Sequence, residues 1–194
     1  MTYRISFAII IAMKSIVFTF GRFNPPTIGH SKLVSTVVET AKQIGGDHVV
    51  FLSQTQNDST DPLDWNFKRR VCESAFKGVN ISKDTDIRNP YIALEYLKEH
   101  YDRVVLVAGS DQVDEYTKRF TGYADNWGIQ FEVVSAGQRI VEAEGVEGIS
   151  ATKMRQFARD NNIEKFFEGL PKLLNEQIKK MVLKNTQKGL KKTK

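Results

Sequence analysis

The chain is short of the residues on which several protein classes depend. One cysteine, Cys72, stands among 194 residues, which excludes an internal disulfide and the disulfide-stapled scaffold that goes with it, and fits a reducing, cytoplasmic setting. The three histidines, His30, His48 and His100, are far apart and show no metal-ligand spacing. The apolar stretch 7–13 comes soon after Arg4 and imitates a secretory leader. It is far shorter than the roughly 20 residues a membrane-spanning helix needs, and no small-residue cleavage site separates it from the apolar run that begins at Ser15. Residues 1–13 are therefore set aside as an N-terminal appendage, with Met13-Lys14 reading as an alternative start, and no membrane partner is expected. Missing too are G-x-x-x-x-G-K-[ST] and G-x-G-x-x-G, which disfavours a Walker-type NTPase and a dinucleotide-dependent dehydrogenase. There is no internal repeat and no low-complexity linker.

What is present is ordinary globular material, 41% apolar and 26% charged. The net charge of +5 invites a nucleic-acid reading. Its location argues otherwise: residues 171–194 hold eight lysines against one glutamate, so the rest of the chain is slightly acidic. No aromatic residue interleaves those lysines after Phe167, so a solvated C-terminus is expected rather than a nucleic-acid arm.

Short apolar runs alternate with helical periodicities. Residues 15–20 read as a buried strand ending at Gly21. Beyond a loop with two prolines, Leu33, Val34, Val37, Val38 and Ala41 fall at helical spacing and predict a helix over 28–44, stopped by Gly45-Gly46. Residues 47–53 are a second strand, 79–82 a short third, and Arg103–Ala108 and Gln130–Ser135 the fourth and fifth. Between them Asp64 is placed to cap a helix with Phe67, Val71, Cys72 and Ala75 on its inner face. Asn89-Pro90 opens another, residues 111–120 form a further one, and Ser150 leads into a helix to about Arg159, with a helical remainder. This alternation implies an α/β fold: a Rossmann-like open parallel sheet with helices on both faces over 14–160, and a C-terminal helical extension with a basic tail over 161–194. Ligands of such sheets bind beyond the carboxyl ends of the strands, which directs attention to 21–30, 53–64 and 109–114.

The first of these, Gly21-Arg22-Phe23-Asn24-Pro25-Pro26-Thr27-Ile28-Gly29-His30, turns from a strand into a helix start, where unpaired backbone N–H groups favour an anion. Thr27 and His30, three apart, share a face, and Gly29 leaves room for close approach. Downstream, Gly148-Ile149-Ser150-Ala151-Thr152-Lys153-Met154-Arg155 starts a second helix, with Thr152 and Arg155 three apart. Arg155 supplies a permanently charged fork suited to phosphate oxygens. Lys153 occupies the position where a capping box would place Glu or Gln, and a cation there opposes the helix dipole unless a polyphosphate is bound.

The pair of segments resembles the T/H-x-G-H and I-S-x-T-x-x-R signatures of the nucleotidylyltransferase superfamily, with GRFNPPTIGH similar to its nicotinamide mononucleotide adenylyltransferase-like branch. The resemblance covers about residues 15–160. It implies transfer of a nucleoside monophosphate, AMP from ATP in the first instance, to a phosphomonoester such as nicotinamide mononucleotide, with release of pyrophosphate. It implies His30, Thr27 and Arg155 as catalytic residues and Gly21, Arg22, Phe23, Asn24, Gly29, Ser150 and Thr152 around the nucleotide and its phosphates. Lys68, Arg69, Gly109, Asp111 and Trp127 are the candidates on the acceptor side. Mg²⁺ is expected with the triphosphate, held by phosphate oxygens and water rather than by protein ligands. CTP in place of ATP, and a non-catalytic nucleotide-binding module of the same fold, stand as alternatives, and a homo-oligomer is left open. A class I aminoacyl-tRNA synthetase shares similar signatures, but the chain lacks the length for a tRNA-binding domain.

Overall fold

In the computed structural model of the protein, residues 13–137 and 149–190 are described; Gly148 and the last lysines of the tail lie outside them. Four parallel strands form one sheet: β1 (Ser15–Gly21), β2 (Asp47–Leu52), β3 (Arg103–Ala108) and β4 (Gln130–Ser135), in the order β2-β1-β3-β4. Seven helices accompany them among the described residues: α1 (Ile28–Ile44), α2 (Trp65–Ala75), α3 (Pro90–Lys98), α4 (Val113–Trp127), α5 (Ala151–Arg159), α6 (Ile163–Glu168) and α7 (Glu176–Leu190). None is long and apolar enough to cross a membrane.

β1, β2 and β3 are apolar over most of their length because both faces of the sheet are covered there, whereas the edge strand β4 carries Gln130, Glu132 and Ser135 and is partly exposed. Side chains alternate between faces along a strand. Ile16, Phe18, Val49, Phe51, Val104 and Leu106 point one way and pack on Ala93, Leu94 and Leu97 of α3 and Phe120 of α4. Val17, Val105 and Val107 point the other way, onto Val37 and Ala41 of α1. On that second side Val50 and Leu52 continue into a larger cluster with Val71 and Cys72 of α2, Met154 of α5, Phe166 of α6 and Val182 of α7. The C-terminal helices thus bury their apolar faces against the same body as α2 and α5.

Two sequence expectations need correction. Residues 79–82 are not a strand of their own; Ile81 makes an isolated parallel bridge to Val50 at the outer edge of β2, held by two backbone hydrogen bonds. The fourth and fifth strands expected from the sequence are therefore β3 and β4. The helix expected over 111–120 begins with a single 3-10 turn at Ser110–Gln112 and runs on as α4 to Trp127, where Gly128 in the left-handed conformation stops it.

The chain leaves β1 toward β2 on one side and returns to β3 on the other, so the topological switch lies between β1 and β3. The register shows an opening there. β1 and β2 stay paired to Gly21↔Leu52, whereas the β1–β3 pairing ends at Phe18↔Leu106. Beyond that point the Thr19 hydroxyl donates to the Val107 carbonyl at 2.8 Å. The two carboxyl ends then part, with Gly21 on one lip and Gly109 on the other.

Candidate active site

The β1–α1 loop is built from the inside. Phe23 is fully buried with φ +47°, a left-handed backbone rare for an aromatic residue. Its ring lies flat under His30, centroids 4.3 Å apart and planes inclined by 28°, and meets Phe76 edge-on. A Cβ on Gly21 would sit 2.6 Å from that ring, so Gly21 is required by Phe23. Phe23 is a pedestal for the imidazole rather than a surface offered to a nucleotide.

Thr27 is the N-cap of α1 and His30 its third residue. The Thr27 backbone N–H donates to His30 Nδ1 at 3.0 Å, and Thr27 Oγ1 lies 2.9 Å from the same nitrogen. An Nδ1 that accepts this N–H places the proton of the neutral ring on Nε2, which becomes the donor. Thr27, only 2% exposed, therefore acts on the tautomer and orientation of His30. At the start of this helix the Ile28 N–H is bound to the Gly169 carbonyl at 3.0 Å and is not among the unpaired groups. Gly29 is different: it is exposed, and an added Cβ would meet nothing closer than Thr27 Oγ1 at 3.5 Å. No neighbour demands a glycine there, although one in a helix costs about 1 kcal/mol relative to alanine. The open space above the first turn of α1 is thus bounded by Gly29 and the imidazole.

The second signature meets the first through Arg155. This side chain is 6% exposed. Nη1 donates to the Asn24 carbonyl and Nη2 to Thr152 Oγ1, both at 3.0 Å. Desolvation, together with the nearby guanidinium groups of Arg22 and Arg159, lowers its affinity for its proton, and Asp61 works in the opposite direction. Ser150 caps α5 by accepting from the Lys153 N–H at 3.2 Å, while Thr152 is exposed at the first turn. Arg22 is exposed on the first loop and exerts its charge on both Arg155 and Lys68.

The 53–64 loop is the third wall. Lys68 is fully buried, and its Nζ donates to the Ser53 carbonyl at 2.5 Å. Burial pushes its pKa down to about 8, against the pull of the Cys72, Asp61 and Asp64 side chains. The lysine thus remains largely protonated at neutral pH. Cys72, buried beside it, has its thiol pushed well up and is inert as a nucleophile. Asp61 is 2% exposed; its Oδ2 accepts from Asn57 and Thr60, while Oδ1 has no protein partner. Sequence reasoning placed Asp61 in this loop without giving it a role. The signal was an acidic residue beside Pro62 and Leu63, just ahead of a helix that carries a lysine.

The remaining candidates divide. Gly109 and the exposed Asp111 stand at the carboxyl end of β3, on the far lip of the opening. Arg69 is half-buried, in an ion pair with Glu73 at 2.5 Å and 5.6 Å above the Trp65 ring. Trp127 ends α4 just before β4 begins, toward the amino edge of the sheet, in a cluster with Tyr91, Tyr123 and Lys98. Trp127 is not brought to the opening, and Arg69 is held on its own helix by Glu73 and Trp65.

Comparison with known proteins bears on the fold. Solved structures of similar fold include a bifunctional NMN adenylyltransferase/ADP ribose pyrophosphatase from Francisella tularensis, with TM-score 0.62 and 15% identity over 92% of this chain and 53% of that one. A putative nicotinate-nucleotide adenylyltransferase from Vibrio parahaemolyticus gives TM-score 0.57 and 15% identity over 88% of this chain and 99% of that one. Thermotoga maritima TmcAL bound with alpha-thio ATP gives 0.53 and 12% over 93% and 56%. The chain thus spans about half the length of the Francisella protein. Comparison with proteins of established function gives no match. The sequence profile of the cytidylyltransferase-like family matches residues 18–157, a span that holds both signature segments and well over half of the chain, and the protein belongs to that family.

Proposed function

We propose that this protein is a nucleotidylyltransferase that joins a nucleoside monophosphate from a triphosphate to a phosphomonoester acceptor. The observation that carries the reading is the clamp on His30, where Thr27 occupies Nδ1 and Phe23 supports the ring, so that the proton of the neutral imidazole sits on Nε2. A binding relic has no use for a fixed tautomer. In the reaction an acceptor phosphate oxygen attacks the α-phosphorus in line. The new P–O bond forms as the bond to the bridging oxygen breaks, and pyrophosphate leaves with that electron pair. His30 Nε2–H donates to an α-phosphate oxygen as charge grows, a contribution that comes from preorganised position rather than covalent chemistry. Ser150, Thr152, Arg22 and the outer edge of Arg155 face the departing pyrophosphate. Lys68, charged at neutral pH, offsets the acceptor's phosphate.

The donor in this reading is ATP and the acceptor nicotinamide mononucleotide or a similar phosphomonoester, supported by the names of the structural neighbours. The Francisella protein was also solved with AMP and a manganese ion. A divalent cation, Mg²⁺ in this reading, arrives on the triphosphate and is carried by its oxygens and water; it supplies charge neutralisation on the phosphates. The setting is a reducing, cytoplasmic one, in keeping with the buried, unreacted thiol of Cys72.

The test is pyrophosphate release across ATP and CTP, each with nicotinamide mononucleotide and other phosphomonoesters, in wild type and His30→Ala. ATP with one acceptor is expected to turn over. His30→Ala is expected to lower kcat by about 10²–10³-fold with triphosphate KM within about threefold, as for loss of one transition-state donor. Turnover with CTP alone would reassign the donor, near-wild-type turnover in His30→Ala would remove His30 from the mechanism, and binding without turnover on any pair would favour the non-catalytic module.

A further inference from the structure

Asn24 stands in the signature loop where a polar side chain facing the nucleotide is expected, yet it is 1% exposed and turned the other way. Its Nδ2 donates to the Leu63 carbonyl at 3.1 Å, and its Oδ1 accepts from the Leu63 N–H at 3.0 Å. The two bonds match a backbone unit 39 residues away in the manner of a single strand pairing. Asn24 also offers its own carbonyl to Arg155 Nη1. The next residue after Leu63, Asp64, caps α2 through the Phe67 N–H at 2.9 Å and accepts from the Lys68 N–H through its carbonyl. Lys68 Nζ reaches the Ser53 carbonyl, and the Ser53 N–H returns to the Gly21 carbonyl at 2.9 Å. The contacts close a circuit: first loop, 53–64 loop, α2 and back to the first loop, with Arg155 bracing it from α5.

The 53–64 loop thus wraps Lys68, with Ser53 at its start and Asp61 near its end, and within the circuit the Asn24 side chain is what ties the loop's far end to the first loop. From this geometry we infer that Asn24 is a positioning residue: it holds the 53–64 loop closed over Lys68 and so fixes the acceptor's phosphate subsite relative to the cradle for the triphosphate. The acceptor half of that statement rests on the proposed function; the mechanical half does not. Neutral asparagine suits the task because it donates and accepts at once, which neither aspartate nor leucine does. A buried polar pair of this kind is costly to break, since each group left behind is unsatisfied.

The experiment uses the full chain and the Asn24→Ala variant. The first readout is the titration of Lys68, followed by the ¹³Cε resonance and assigned with Lys68→Met. The lysine's charged or ionisable neighbours are Cys72, Asp61, Asp64 and Arg22, and none of them is altered by the substitution. Wild type is expected to titrate at about 8, and Asn24→Ala to move toward the ordinary lysine value of 10.5 as the loop loosens and water reaches the amine. A folded variant in which the midpoint stays at about 8 overturns the inference, whatever the enzyme's activity proves to be. The second readout is kinetic. The acceptor KM is expected to rise by at least about tenfold with the ATP KM changed by less than about threefold, the split that an interaction confined to one substrate produces. Parallel changes in both constants overturn the acceptor assignment. Asn24→Ser, whose hydroxyl falls short of Leu63 but leaves a polar group for water in the vacated space, serves if the alanine variant fails to fold; it is expected to show the same shifts. Absence of pyrophosphate release from wild type would count against the proposed function alone, because the Lys68 titration still decides the role of Asn24.

Discussion

Lys68 and Arg69 are neighbours on one helix, alike in charge and in their sequence surroundings, and the fold treats them oppositely. Lys68 is fully buried, bound to the Ser53 carbonyl and surrounded by Asp61, Asp64, Cys72 and Arg22. Arg69, one residue and about 100° further around α2, is only half-buried, against Glu73 and Trp65. The same division recurs on α5, where Arg155 is buried on the Asn24 carbonyl while Arg159 reaches the Ser59 carbonyl from an exposed position. The difference teaches that a cation's chemistry here is set by the carbonyl it is given inside the molecule, not by its presence in a promising segment. Substitutions in matched pairs test that division.

The largest contrast is expected in the pH dependence of stability. Burial depresses the pKa of Lys68 to about 8 from 10.5 in the unfolded chain. Below pH 8 both states hold the proton, and the cost of burying the charge is fully present. Between about 8 and 10.5 the unfolded chain binds the proton that the folded Lys68 has released, so this group makes stability rise with pH through that window. Its share amounts to roughly 3 kcal/mol; above about pH 9 the buried Cys72 thiol, pushed up by burial, works in the opposite direction, because the unfolded chain gives up that proton first. Urea unfolding across pH 7–11 is expected to show the Lys68 share as the difference between wild type and Lys68→Met, with Arg69→Met following wild type. A rise that survives in Lys68→Met would place the titration on another group.

Next in size is the pair on α5. Arg155→Met leaves the buried Asn24 carbonyl without its donor and removes the brace between the two signatures, for a loss of about 1–3 kcal/mol. Arg159→Met breaks one exposed bond at 3.2 Å to Ser59 and is expected to cost less than about 1 kcal/mol, the scale of a surface contact. Equal losses in the two variants, measured by urea midpoints at unchanged slope, would show that the burial of Arg155 carries no special weight.

Much of the fold was legible because each local signal agreed with the others. Apolar runs over 15–20 and 103–108, the periodicity of 33–41, and the caps Asp64, Asn89 and Ser150 all stand where the sequence placed them. The alternation of elements gave the parallel sheet, and the rule for carboxyl ends gave the opening at Gly21 and Gly109. What escaped is long-range. Nothing in a string of residues shows that Asn24 pairs with Leu63, 39 positions on, or that the Arg155 fork is spent on a backbone carbonyl. Phe23 was read as a nucleotide contact because it lies in the signature. Its positive φ and the closeness of its ring to Gly21, which make it a support for His30, exist only in three dimensions. Residues 79–82 had the composition of a strand but lie at the rim of the sheet, where a single bridge to Val50 is all they make. Trp127 was a candidate on the acceptor side, yet the helix that holds it runs on to the stop at Gly128, which carries the ring toward the opposite edge.

The smallest expected effect is the most demanding on the comparison. Arg69 was a candidate for the acceptor's phosphate on the same grounds as Lys68, namely a cation on the helix after the second loop. Its guanidinium already has a carboxylate partner in Glu73 and an aromatic neighbour in Trp65, both on its own helix. Such an i,i+4 pair is worth about 0.3–0.5 kcal/mol. Arg69→Ala should therefore cost less than about 1 kcal/mol and leave the acceptor KM within about twofold of wild type, whereas loss of the Lys68 charge should raise that KM by at least about tenfold. An acceptor KM that climbs equally in the two variants would mean that α2 presents both cations to the substrate. The loop over Lys68 would then have to open during turnover far enough to bring the outer face of the helix into the site, and the closed circuit through Asn24 would describe only the resting enzyme.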